Sequence, residues 1–429
     1  MIEGFDPGGY MYGLIRELFP ICRSLTGEGV RRTLGVLKRE IDTLAVHEVP
    51  SGTSCFDWTV TDEWNVDDAC VIDPEGQKVI DFKSSNLHLM GYSVPFEGEM
   101  SLEELNEHLY SLPEQPDLIP YVTSYYSPRW GFCIEHSRRA RLRPGTYRVK
   151  IASRFSKGSL TYADAFLPGE EEREILLSTY VCHPSLANDN LSGPALMAAL
   201  WKWLSRRRRR FSYRFVFVPE TIGAIAYISR NLEELRRRTC AGYVLTCVGD
   251  NNAVSFLPSR RGDTVVDRVS RHVLSHRVPG YKEYSFLERG SDERQYCSPG
   301  VDLPVASIMR SKYGTYPEYH TSADDLDFIS SEGLQGSFEL YCRCLDLLER
   351  NRIYRVTSPC EPQLGKRGLY PTLSMKGSAG DVRVYMNMLT YTDGENDLVD
   401  IAERIGVSAE ELVPIAEKFL SHGLVENCE

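Results

Sequence analysis

REILLSTYVCHPSLANDNLSGPALMAALWKWLSR (173–206), followed by SYRFVFVPE (212–220), decides the fold class. LLSTYVC is a largely apolar run and REILLSTYVC is of strand length, as in a strand buried on both faces. SGPALMAALWKWLSR repeats its large side chains at helical spacing, and SYRFVFVPE is again a buried strand. The alternation continues outward. AIAYISRNLEELRRR (224–238) reads as a helix, AGYVLTCVG (241–249) as a strand, VDLPVASIM (301–309) as strand-like, and GLQGSFELYCRCLDLLERN (333–351) as a closing helix. Such a pattern predicts a layered α/β domain with its functional loops at the carboxyl ends of the strands.

Before this region, residues 10–42 look helical, with breaks at Pro20 and at Thr26-Gly27-Glu28-Gly29. Residues 44–165 change texture: short β-rich pieces such as CFDWTVTDEW and GTYRVKIASRF alternate with Gly and Pro turns. After Pro359 and Pro362 come three helical segments and LVE (424–426), a candidate β wing, which together have winged-helix character. Ser408 and Glu411 have the spacing of a capping box. The predicted domains are 1–45 with 166–362 (catalytic), 46–165 (inserted, mostly β) and 363–429 (winged helix).

The chain has 429 residues and a net charge of −11, which argues against general attraction to nucleic acid or anionic membranes. No apolar run reaches the length of about 18 residues that a spanning helix needs. The first residues lack the pattern of a secretion signal, so a cytoplasmic location is expected. Twelve scattered cysteines never form C-x-x-C, which speaks against a structural zinc knuckle. The run Arg206–Arg210 follows a helix carrying Trp201 and Trp203, where cations complement the helix end.

Four polar residues fall where active sites of this architecture assemble. His183 follows LLSTYVC, Asp189 lies six residues on, Glu220 ends RFVFVPE, and His320 sits in PEYHTSADD. Two imidazoles and a carboxylate make a catalytic zinc shell with a fourth position for water, and a further Glu can take that water's proton. Each residue also has a plain structural reading: a strand-end His183, Asp189 or Glu220 capping the next helix, and His320 on a wet loop. Spacing alone leaves both open.

HPSLANDNLSG followed by FVFVPETIG, then GSDERQY and YHTSADDLDFI, resembles the zinc aminopeptidase family that also includes glutamate carboxypeptidases and glutaminyl cyclases. Across its whole length the chain resembles aminopeptidase-like proteins linked with polysaccharide-biosynthesis genes, with an inserted β domain and a C-terminal winged helix. The resemblance implies a zinc-exopeptidase-like α/β/α sandwich with a mixed sheet. It makes His183, Asp189 and His320 metal ligands, Asp189 being the family's bridging carboxylate. Glu220 becomes the general base and Asp292 a second catalytic carboxylate, with Tyr296, Arg294 and Tyr319 as substrate-binding residues.

The departures carry information of their own. Where the family has a second, metal-binding glutamate, Thr221 follows Glu220. The family's Asp–Met–x–Gly ligand motif is Thr246-Cys247-Val248-Gly249 here, and its His-x-Asp is His183-Pro184-Ser185. With those carboxylates gone, one zinc per chain is expected rather than two, since two close dications would share a single Asp. Cys247 is a candidate extra ligand or a buried thiol.

The function these readings imply is zinc-dependent hydrolysis of an amide near a free terminus of a peptide or amino-sugar-like substrate, with a metal-bound water and Glu220 as base. A non-hydrolytic, metal-binding descendant used for ligand recognition or scaffolding is the alternative. The retained Glu220 favours catalysis. A DNA-binding regulator is rejected because residues 396–429 hold two basic side chains against eight acidic ones, Glu410, Glu411 and Glu417 falling on the candidate recognition helix. A Cys182 hydrolase is rejected because strand alternation would turn His183 to the opposite face. The expected partner is a small peptide or amino-acid-like molecule, with no nucleic acid and no membrane, and a homo-oligomer through the insert or the winged helix is left open. The insert, rich in Trp58, Trp64, Tyr121, Tyr125, Tyr126 and Trp130, is expected to narrow access to the zinc, because it rejoins the core just before His183.

Overall fold

The computed structural model describes residues 4–369 and 379–428. The chain divides into two compact units, Met1–Gly262 with Lys282–Glu339, and Asp263–Tyr281 with Leu340–Glu429. No helix among the described residues is long and apolar enough to cross a membrane.

In the first unit eight strands form one mixed sheet. Their order is Ala45–Pro50, Ser159–Leu167, Ser212–Val218, Glu174–Tyr180, Thr239–Val244, Val305–Met309, Ser255–Leu257, Lys282–Glu283. The third to sixth of these run parallel. Glu174–Tyr180, Ser212–Val218 and Val305–Met309 are buried at every position, as a parallel sheet covered on both faces requires. Ala45–Pro50 and Ser159–Leu167 pair antiparallel and widen this sheet. The ends of the 46–165 stretch are therefore part of the central sheet, and the excursion proper is 51–158.

The first helices are Pro7–Leu18 and Glu28–Glu40. The Asp6 side chain accepts from the Gly9 amide at 3.0 Å, and Pro7 stands in the first turn where no N–H is needed. The second begins after Gly27 at φ 95°, where a Cβ would meet the Trp64 carbonyl at 2.2 Å; glycine alone fits both.

Within 51–158 an antiparallel sheet runs Lys78–Asp81, Glu63–Ile72, Thr146–Ser156, Phe96–Ser101. Most of its aromatics fill local cores. Trp64 is buried with its indole N–H donating to the Ser93 carbonyl at 2.9 Å, and Trp130 stacks on His108. Trp58 and Tyr126 stay exposed. The basic run Arg206–Arg210 is tied down locally: Arg207 lies over Trp203, Arg208 pairs with Glu170, and Arg210 pairs with Glu171 at 2.6 Å.

Beneath the sheet's polar end, Glu174 is fully buried and takes two parallel bonds from Arg214, at 2.8 and 3.0 Å. Arg214 also donates to the Tyr227 hydroxyl and pairs with Glu234. Removing one partner strands a buried charge, so Glu174→Ala is expected to lower unfolding free energy by about 3 kcal/mol. Urea unfolding checks this. An unchanged midpoint would mean that the pair carries no net stability.

The second unit holds a three-stranded antiparallel sheet in the order Asp393–Asp397, Ile353–Val356, Val425–Asn427, with helices Leu398–Ile405 and Ala409–Ser421. The last strand begins within the expected LVE wing. The Ser408–Glu411 capping box is not formed: the Ser408 hydroxyl accepts from Glu410 N at 3.3 Å, one residue too early for the reciprocal bond. The helix Val265–Arg277, distant in sequence, joins this unit. Its buried His272 accepts the Ala409 amide on Nε2 at 2.8 Å and faces Glu403 through Nδ1.

Candidate metal centre

His183, Asp189 and His320 come together, their ligand atoms within 4.8 Å of one another. Among the described residues they are the only cluster of three His, Cys, Asp or Glu side chains so placed. His183 and Asp189 both follow the strand Glu174–Tyr180, and His320 comes from the loop after Val305–Met309, the convergence expected where parallel strands finish. His183 follows the strand Glu174–Tyr180, and Arg23, buried against Leu18, holds its main-chain carbonyl at 2.9 Å. Asp189 lies in the irregular segment Ala187–Leu191. His320 adopts φ 55° in the loop after Val305–Met309 and stacks on Tyr319 with centroids 3.9 Å apart.

The Asp189 carboxylate divides its oxygens. Oδ2 lies 3.1 Å from His320 Nε2, while Oδ1 accepts from the Tyr180 hydroxyl, which also meets Thr246 Oγ1 at 2.7 Å. Burial acts to raise its pKa, but the bond to His320 and the neighbouring His183 win and take it down to about 2. Burial lowers His183 to about 4, so its ring is neutral and a lone pair is free for a metal. A neutral imidazole, a second imidazole and a buried carboxylate anion are a donor set that suits zinc.

Neither Asp189 nor Glu220 caps a helix; the following helices begin after Leu191 and Thr221, without side-chain caps. Glu220 Oε2 instead lies 3.8 Å from His183 Nε2. Burial first, then Asp292 and Asp189, push its pKa well above the ordinary carboxylate range. Asp292 is fully buried; Oδ1 accepts from the Thr221 amide at 2.7 Å and Oδ2 has no hydrogen-bond partner. Burial raises Asp292 to about 7.

A cavity of about 300 Å³ opens beside this cluster, lined by His183, Glu220, Thr221, Arg294, Cys182 and the insert's Trp58, Tyr125 and Tyr126. Insert and core are stitched together at the histidine loop. Tyr121 N donates to the His320 carbonyl at 2.8 Å, Ser322 N to the Ile119 carbonyl at 2.9 Å, and Gln115 Nε2 to the Pro317 carbonyl at 2.8 Å. The Tyr121 ring stands edge-on to both His183 and His320. Access to the cluster thus passes insert aromatics.

Two expectations need correction, and the choice left open for Cys247 falls to the buried thiol. Tyr296, placed with the substrate-binding residues, is fully buried, its hydroxyl 2.9 Å from Ser178 Oγ; it packs the core and cannot meet a ligand in the cavity. Cys247 lies outside the cluster and pairs with Thr246 and Tyr316, its thiol pushed up by burial and by Asp189. Cys182 and His183 do not point apart: the strand ends at Tyr180, alternation stops, and Cys182 Sγ sits 3.7 Å from His183 Nδ1. Burial and Glu220 nevertheless push that thiol well above its ordinary range, the opposite of a nucleophilic thiolate.

Two residues escaped the sequence reading. Asp324 is the last Asp of H-T-x-x-D. It is fully buried and accepts the amides of Asn188 and Asp189, at 2.6 and 2.9 Å, which orients the Asp189 segment. Its motif position was the available signal. Tyr180 offered none, because within a strand a tyrosine reads as core.

The comparisons agree with this geometry. Residues 12–351 match the model of a family described as a domain of unknown function, DUF4910, and residues 352–427 match a winged helix-turn-helix model. The chain belongs to the DUF4910 family. A Clostridium acetobutylicum protein, named for polysaccharide biosynthesis with an aminopeptidase-like domain, is 47% identical over 407 residues, covering 94% of this chain and 92% of that one. The crystal structure of a proposed peptidase from the same organism is 44% identical and superposes with a TM-score of 0.92, over 98% of this chain and 96% of that one. The zinc aminopeptidase BSAP from Bacillus subtilis, at 12% identity and a TM-score of 0.59 over 80% and 95% of the two chains, shares the fold. The family is thus aminopeptidase-like, with a large mixed sheet in its core and a C-terminal winged helix.

Proposed function

We propose that this family member is a zinc-dependent hydrolase that cleaves an amide near a free terminus of a small peptide or amino-sugar-like substrate. The convergence of His183, Asp189 and His320 beside Glu220 carries the reading. The three ligands would hold one zinc, which when bound supplies Lewis acidity to a water and to the substrate's carbonyl. Two features favour one ion over two. Asp189 Oδ1 is engaged by Tyr180, and the positions of the lost ligands, Thr221 and Thr246, bear neutral hydroxyls.

Glu220 accepts the attacking water's proton and returns it to the leaving nitrogen. Burial and Asp292 push its carboxyl up, and a zinc held beside His183 would act against that push. Asp292 is anchored on the Thr221 amide and sets the field around Glu220. Tyr319 stacks on His320 and Tyr121 stands edge-on to both rings, so aromatic packing helps to orient the imidazoles.

The reading places the protein in the cytoplasm. The winged-helix unit serves protein contacts, within the chain or between subunits, because its helix Ala409–Ser421 presents Glu411 and Glu417, while Glu410 is paired with Arg277 and Arg343. No DNA binding by the full chain is expected at physiological ionic strength. Salt-sensitive retardation of a duplex in a gel-shift experiment would contradict that.

Hydrolysis is tested by incubating zinc-loaded protein with aminoacyl amides and N-acyl amino sugars and following release of the free amine. Catalysed release that chelation stops is expected. Stoichiometric zinc with no turnover of any amide would favour the binding-only alternative.

A further inference from the structure

Arg294 stands in the cavity without an acidic partner. Its Nη2 donates to Thr221 Oγ1 at 2.6 Å, and among the described residues no carboxylate pairs with it. This is notable because Arg294 follows two acids. Both are turned away and buried. Asp292 accepts the Thr221 amide, and Glu293 Oε1 accepts the amides of Gly290 and Ser291 and the hydroxyl of Tyr313. Glu220 faces His183 instead.

Thr221 is central to this arrangement. It occupies the place where the resemblance to zinc aminopeptidases implies a second, metal-binding glutamate, and its φ of 63° lies in the left-handed region that favours glycine. The Thr221 amide holds Asp292 while its hydroxyl holds the guanidinium. A carboxylate at this position would have closed on Arg294 or on a metal. The neutral hydroxyl orients the guanidinium without pairing its charge; that charge acts on Glu220 and Asp292 only at a distance, and the remaining N–H donors can turn from water to a ligand. Trp58, Tyr125 and Tyr126 wall the same cavity and offer apolar surface beside the guanidinium.

We propose that Arg294 is a carboxylate anchor, and that the ligand taken by this cavity is a small amide that also carries a carboxylate. Guanidinium recognises carboxylate through paired, charge-assisted bonds, a geometry lysine cannot reproduce. An N-acyl amino acid and an acidic N-acyl sugar share this chemistry. The inference deepens the hydrolase reading, and rests on it only for the amide.

Binding to the full-length protein tests it. Metal is first stripped, so that no carboxylate can bind zinc directly, and Trp58-region fluorescence or calorimetry follows titration with phenylacetate and its neutral counterpart phenylacetamide. Phenylacetate is expected to bind at least about tenfold tighter, the size of one charge-assisted hydrogen bond. Arg294→Ala should erase that preference, and Arg294→Lys should restore only part of it. N-acetylphenylalanine and N-acetylneuraminate then distinguish an amino-acid source of the carboxylate from a sugar source. Equal affinity for phenylacetate and phenylacetamide, or a preference that survives Arg294→Ala, would overturn the proposal. Zinc content of the untreated protein separates the two readings: Arg294-dependent carboxylate binding in a protein that holds no zinc would sink the metal reading and keep this one.

Discussion

Glu220→Gln is expected to lower kcat by about 100- to 10,000-fold while the zinc stays in place, the range a general base contributes. Glutamine keeps the size and the hydrogen bonding of the side chain but cannot take a proton. Glu220 Oε2 stands 3.8 Å from His183 Nε2, close enough to reach a water beside the cluster without belonging to it. Parallel measurement of turnover and zinc content decides the matter. Loss of the metal together with the activity would make Glu220 a ligand, and retained turnover would place the base elsewhere.

Asp189→Asn is expected to weaken zinc binding by more than the 10- to 100-fold seen, in order of magnitude, for residues that merely orient ligands. Asp189 supplies the only anionic charge of the set, and against the upward push of burial, the bond to His320 and the neighbouring His183 bring its pKa down to about 2. The substitution is nearly isosteric and leaves the segment's amides on Asp324, so the fold should survive. Competition with a chromogenic chelator measures the change. Wild-type affinity in the variant would mean that His183 and His320 hold the metal with some other group.

The α/β core was legible because the buried strands Glu174–Tyr180 and Ser212–Val218 are apolar along nearly their whole length, a signal few other elements produce. The positions of His183, Asp189, Glu220 and His320 followed from the same reading, since strand ends are where side chains converge. What could not be read is orientation. Tyr296 sits in the right motif but points into the core toward Ser178, and nothing in GSDERQY separates it from Arg294, which faces the cavity. Cys182 was judged from strand alternation that ends two residues earlier. The edge strands Ala45–Pro50 and Ser159–Leu167 were assigned to the insert because antiparallel edge pairing leaves no mark of its own in the sequence. Tyr121 could not be seen over the histidines, because contacts so distant in sequence depend on how the insert closes.

The central claim is a single zinc held by His183, Asp189 and His320. Elemental analysis of the purified full-length protein, run beside Asp189→Asn, tests it most directly. The account predicts about one zinc per chain in the wild type and a strongly reduced content in the variant. Two tightly held zincs per chain, or a content that the substitution leaves unchanged, would contradict it.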